Sequence, residues 1–111
     1  MFYNNILQMD NSEWVPKCKE MISDIGETKC ERRILYYLLV VDVDDLLESP
    51  KNKQMAHKLK SNSKSLYIKP LKDEAEIIEN SDNRYNIDIS INKIKDIMKY
   101  IDDEDIFDLK K

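Results

Sequence analysis

The amino-acid sequence predicts an all-α fold, a compact bundle of about five helices, and three observations carry that prediction. Apolar residues recur at spacings of three and four along most of the chain, the pattern of helices that each bury one stripe. Serine, threonine, aspartate or proline stands at the head of most of these segments, where helix starts need it. Only residues 85 to 91, with Tyr85, Ile87, Ile89 and Ile91, alternate as a strand would, and that run is too short to stand alone as a sheet.

Taken in order, Ser12 is placed to cap a first helix starting at Glu13, with Pro16 in the first turn, where its missing N–H is harmless. Trp14, Cys18, Met21, Ile22 and Ile25 then draw one apolar stripe, and Gly26 ends the helix as the residue just past its terminus. Thr28 and Glu31 have the spacing of a capping box, which opens a second helix reaching about Val41. The apolar positions of that helix, Cys30, Ile34, Leu35, Tyr37, Leu38, Leu39 and Val41, wrap most of the way round its axis and predict the most buried helix of the domain. Asp42 is expected to cap a short turn containing Val43, Leu46 and Leu47, and Ser49-Pro50 to start a third helix over residues 50 to 61, with Met55, Ala56 and Leu59 inward.

Residues 61 to 65, SNSKS, have the composition of a loop. Pro70 opens a fourth helix with Leu71, Ala75 and Ile78 on one face, ending near Asn80. After a second loop over residues 80 to 86, Ser90 is expected to cap a last helix carrying Ile91, Ile94, Ile97, Met98 and Ile101. The expected core is Trp14, Ile22, Ile34, Leu35, Leu38, Leu39, Leu46, Leu47, Leu59, Ala75, Ile78, Ile94 and Ile97. Residues 1–101 read as one helical domain and residues 102–111 as an acidic-aromatic C-terminal tail.

With 111 residues, 41% of them apolar, the chain can build one modest core, and its 36% charged residues imply a densely charged surface. No apolar run approaches the ~20 residues of a membrane span, so an intracellular protein that does not engage a membrane is expected. Cys18 and Cys30 both fall on apolar sides of expected helices and read as reduced core thiols. A single glycine excludes phosphate-binding loops and dinucleotide fingerprints, so no nucleotide or other cofactor is expected. The one histidine, His57, lies in a lysine-rich helix without a close cysteine pair, which gives neither a metal site nor a nucleophile–base pair. The chain therefore reads as a non-enzymatic binding protein.

Charge is distributed by segment, with −2 over residues 1 to 30, +4 over residues 31 to 72 and −6 over residues 73 to 111. Between residues 51 and 72 the seven lysines Lys51, Lys53, Lys58, Lys60, Lys64, Lys69 and Lys72 meet no acidic residue. Lys51, Lys53, Lys58, Lys60, Lys64, Lys69 and the single aromatic Tyr67 are the candidate partner-binding residues, facing an acidic peptide or a phosphate backbone, or remaining a solvated lysine face. The absence of arginine and of a base-stacking platform argues against sequence-specific reading of nucleic acid. A second candidate is the tail, where Asp102, Asp103, Glu104 and Asp105 precede Ile106 and Phe107. That tail reads either as a short linear motif or as a segment docked on its own domain, with Phe107 on the bundle and the acidic residues near Lys51 to Lys60.

The stretch RRILYYLLVVDVDDLLESPKNKQMAHKLKSNSKSLYIKPLKDEAEII resembles the N-terminal domain of the elongation factor TFIIS, shared with the Iws/Spn elongation factor, elongin A and a Mediator subunit. Ile34, Leu35, Leu38 and Leu39 match the family's leucine-rich helix, and Val43, Leu46, Leu47 and Ser49 its following turn. Lys53, Met55, His57 to Lys60 and Ala75 to Ile78 supply rough versions of the rest, while Asn52-Lys53 stands where the family has Ile-Gly. The resemblance implies a five-helix bundle that docks acidic-aromatic motifs of other transcription factors, a basic helix around Lys51 to Lys60 facing the ligand, and a nuclear location; without it a cytoplasmic one is expected. Two other classes compete. A small inhibitor, immunity or antitoxin-like protein would cover a basic partner with the acidic C-terminal third. A homo-oligomeric subunit would pair through its amphipathic last helix.

Overall fold

The computed structural model describes residues 11–110, which form five helices and, among the described residues, no strand. Helix α1 spans Asn11–Ile25, α2 Lys29–Glu48, α3 Lys53–Ser65, α4 Lys69–Asn80 and α5 Arg84–Asp103. The most extensive helix contact joins α3 to α4, followed by α4 to α5 and α2 to α3. The radius of gyration, 13.5 Å, is that of a compact chain of about 100 residues.

Helix α1 already contains Asn11 and Ser12, so Ser12 lies within its first turn and does not cap it. Trp14, Cys18 and Ile22 are buried, whereas Ile25, at the end of the expected stripe, is exposed. Burial pushes the Cys18 thiol up to about 12, which keeps it protonated and unreactive. Cys30, expected in the core, is exposed at the start of α2. Gly26 ends α1 without a positive φ; its role is close approach. A β-carbon there would lie 2.7 Å from the Arg32 Cγ, 3.0 Å from the Ile22 carbonyl oxygen and 3.1 Å from Leu35 Cδ1.

The capping box that opens α2 is formed: the Glu31 N–H donates to Thr28 Oγ1 at 3.1 Å, and the Thr28 N–H to Glu31 Oε1 at 3.0 Å. The helix then runs through Asp42 to Glu48 without the expected break. Asp42 has only a modest helix penalty, and burial of Val43 and Leu46 outweighs it. The Asp42 carboxylate is itself buried; it accepts from Asn62 Nδ2 and pairs with Lys58 Nζ at 3.2 Å, tying α2 to α3.

The expectation that α2 is the most buried helix is overturned. Its buried residues are Leu39, Asp42, Val43 and Leu46, while Ile34 and Leu38, both placed in the expected core, are 55% exposed and Leu35 and Leu47 are half-buried. Apolar residues all round the helix denote two apolar faces, of which the fold uses one.

Asn52, and not Ser49-Pro50, caps α3; its Oδ1 accepts from the Gln54 and Met55 N–H groups at 3.0 and 3.4 Å. SNSKS is not a loop but the last turn of α3, held by buried Ser63 and by a Schellman motif. In that motif the Ile68 N–H donates to the Ser63 carbonyl at 2.9 Å and the Tyr67 N–H to that of Lys64 at 3.1 Å, with Tyr67 at φ 58°. Helix α4 follows with Pro70 in its first turn and Pro70, Leu71, Ala75 and Ile78 buried.

Residues 85 to 91 are helical, not strand-like. Asn83 caps α5, its Oδ1 accepting from the Tyr85 N–H at 2.9 Å and the Asn86 N–H at 3.3 Å. Ile87, Ser90, Ile94, Ile97 and Ile101 form the buried stripe; Tyr85 and Ile89 face outward, so the alternation marked no common face.

Past α5 the chain turns back through a second Schellman motif, the Ile106 N–H donating to the Ile101 carbonyl at 3.1 Å and Asp105 adopting φ 49°. Ile106 and Phe107 are core residues, 2% exposed, and Phe107 meets Tyr36 edge-on with ring centroids 5.3 Å apart. Arg32 clasps this segment: Nε donates to the Phe107 carbonyl at 3.1 Å, Nη2 to that of Asp108 at 3.3 Å, and Nη1 to the Gly26 and Glu27 carbonyls, each at 3.1 Å. The tail thus docks against α2 and the α1–α2 turn. The expected docking of its acidic residues on Lys51 to Lys60 is not what the structure has: Lys58 answers to Asp42 of α2, and Lys53 and Lys60 to the C-terminal end of α4.

Candidate functional site

The lysine-rich window divides into two groups. Lys53 Nζ donates to the Ile78 carbonyl at 2.7 Å and to that of Ser81, closing the C-terminal end of α4, with Asp82 4.0 Å away. Lys58 is held by Asp42, and Lys60 Nζ lies 2.6 Å from Glu79, whose other oxygen is 2.6 Å from His57 Nδ1. The Lys60 hydrogen bond, with His57 adding to it, holds the Glu79 carboxyl below its ordinary value. These lysines are staples between helices, and their acidic partners lie outside the 51–72 window where sequence inspection sees none.

The second group surrounds a groove of about 350 Å³ where α1 passes the α3–α4 turn. Lys17, Lys64, Lys69 and Lys72 rim it together with the single acid Glu13; Trp14 and Tyr67 form its aromatic wall. Trp14 is 4% exposed and fixed from behind, its Nε1 donating to Asn11 Oδ1 at 2.7 Å and its ring standing 6.1 Å from that of Tyr100. Tyr67 is 49% exposed. Lys17 and Lys64 form no ion pair among the described residues, whereas Lys69 and Lys72 share Asp73 at 2.6 and 3.5 Å. The hydrogen bond to Asp73 raises the affinity of the Lys69 ammonium for its proton. Lys64, Tyr67 and Lys69 of the expected set are thus brought together; Lys51, Lys53, Lys58 and Lys60 are not part of this groove. Lys17 and Trp14 were missed, since they lie some 50 residues earlier in the chain and only the packing of α1 delivers them.

Lys51 borders a larger cavity, about 600 Å³, between the α2–α3 and α4–α5 turns. There Lys51, Lys53 and Arg84 face Glu48, Asp82 and Asp88, so the wall selects no sign of charge. In the tail, Ile106 and Phe107 are consumed by the core, and Asp105 accepts from the Leu109 N–H at 2.8 Å and the Lys110 N–H at 3.1 Å. Asp103 pairs with Lys99 at 3.2 Å and Asp102 lies 3.9 Å from Lys110, while Glu104 is exposed as the cap of α5. A linear motif built on Phe107 would require that ring to leave the core.

Among the described residues, no cluster of three or more histidines, cysteines or carboxylates is placed to hold a metal ion, and no helix is long and apolar enough to cross a membrane. Comparison of the chain with family models, with curated proteins and with solved structures finds no match.

Proposed function

We propose that this protein is a non-enzymatic interaction domain that docks a short acidic-aromatic peptide segment in the groove between α1 and the α3–α4 turn. The observation that carries the reading is the presentation of Tyr67: an exposed aromatic ring stands at a left-handed turn position, lining the same groove as Trp14, inside a rim of four lysines with one acid. The ligand's aromatic side chain would lie against Tyr67, with the largely buried Trp14 lining the groove behind it, and its carboxylates would meet Lys17 and Lys64 first, since those two form no ion pair among the described residues. On the resemblance of residues 32 to 80 to the TFIIS N-terminal domain, the peptide would belong to another transcription factor and the location would be nuclear. The lysines used here differ from the Lys51 to Lys60 helix which that resemblance implies.

The test uses a labelled peptide with Asp and Glu flanking a Phe or Trp, titrated by fluorescence anisotropy, with a charge-reversed peptide as control. Trp14 is the only tryptophan and gives a second, intrinsic signal when a Phe peptide is used. Lys17→Glu with Lys64→Glu should weaken binding by at least about tenfold, some 1.4 kcal/mol, with an unchanged helical spectrum. Binding that survives this pair and Tyr67→Ala, yet fails in Lys51→Glu, would move the site to the other cavity.

A further inference from the structure

Independently of the groove, we propose that the outward face of α2 is where two copies of this chain meet, paired antiparallel about a two-fold axis near Leu38. Ile34, Tyr37 and Leu38 are exposed by 55%, 65% and 55%, and they fall within little more than one turn of the same helix. Half-buried Val41 continues the stripe one turn on, and the residues α2 buries, Leu39, Val43 and Leu46, lie on the opposite side. The other large exposed hydrophobics, among them Ile25, Ile77 and Tyr85, are spread over separate helices and need no partner. Three bulky side chains concentrated on one turn do.

Charge identifies the occupant. Arg33 and Asp44 are both exposed, flank the stripe on the same side of the helix, and form no ion pair among the described residues. That flank is positive at its N-terminal end, at Arg33, and negative at its C-terminal end, at Asp44. A second α2 laid antiparallel brings Arg33 of each copy beside Asp44 of the other, while Ile34 meets Val41 and Tyr37 meets Leu38 across the axis. This is the self-complementarity a two-fold contact requires, in which each patch serves as both halves. A parallel pairing would instead set Arg33 against Arg33 and Asp44 against Asp44. Because the stripe is short against the ~800 Å² per partner of a standard interface, the association belongs in the micromolar to millimolar range.

Sedimentation of the full chain over rising concentration tests this. The mass should move from 13.2 kDa toward twice that value. Leu38→Glu should hold it at the single-chain mass with an unchanged far-ultraviolet spectrum, the site being open enough to accept a charge. Arg33→Glu and Asp44→Arg should each weaken the pairing at least about tenfold, and an equimolar mixture of these two variants should restore it, because each supplies the charge the other lacks. A wild-type chain that remains single up to about 1 mM overturns the proposal. So does a dimer indifferent to Leu38→Glu, or a mixture that associates no better than its components.

Discussion

At φ 58° Tyr67 occupies backbone space where glycine is at ease and a β-carbon is not. The Schellman motif around it places no demand for an aromatic ring, and Gly is the residue most often found at that position. Tyr67→Gly should therefore raise stability by about 0.5–1 kcal/mol in a urea titration while removing the exposed wall of the groove and at least about tenfold of peptide affinity. A variant that loses stability would show that the ring supports the turn. Gly26 is the opposite case: its conformation is open to any residue, and its neighbours are what exclude a side chain.

At the scale of the element, legibility followed burial. Thr28 and Glu31 were readable because the capping box is local, and Leu71, Ala75 and Ile78 because α4 buries a single stripe. Helix α2 misled because periodicity reports that a face is apolar without reporting what covers it; Leu39 and Leu38 are neighbours in sequence and opposites in the fold. Leu39→Ala should cost about 2–5 kcal/mol, whereas Leu38→Ala, at a position the sequence pattern placed in the core, should cost under about 0.5 kcal/mol in dilute solution. Equal losses in a denaturant titration would return Leu38 to the core. The groove was half legible: Lys64, Tyr67 and Lys69 adjoin in sequence, but Lys17 reaches them only through tertiary packing. Between α3 and α4, Glu79 sets a pH dependence. Its carboxyl is held below the usual 4.5 by Lys60 and then His57, so its contribution is complete above that value and is lost as pH falls through the lower, folded-state value. Glu79→Gln should lower the urea midpoint at pH 7, and the difference from the parent should vanish in that acid window; a difference independent of pH would assign the effect to packing.

For the whole molecule, the acidic C-terminal third does not present itself as one free surface. Its apolar residues complete the core, and several of its carboxylates are occupied by Lys99, Lys110 and backbone N–H groups. The seven lysines, a single cluster in sequence, are divided in space: Lys53, Lys58 and Lys60 fasten helices to one another, Lys64, Lys69 and Lys72 rim a groove, and Lys51 borders the other cavity.

The clasp of Arg32 on the Phe107 and Asp108 carbonyls joins residues 75 and 76 positions apart, the longest loops that any of the side-chain hydrogen bonds described above close. Contacts between successive helices, such as α3 with α4, involve far shorter loops and lower entropic cost, so they are positioned to form first. The clasp is then expected to form after the folding barrier, in the native state alone. Arg32→Ala should accelerate unfolding several-fold and leave the refolding rate nearly unchanged in stopped-flow measurements across a denaturant series. A slowed refolding arm would place the joining of the two distant segments at the start of folding instead. With refolding unchanged, the residence time of the native state falls by the same factor as its folding equilibrium constant, and both hang on one guanidinium.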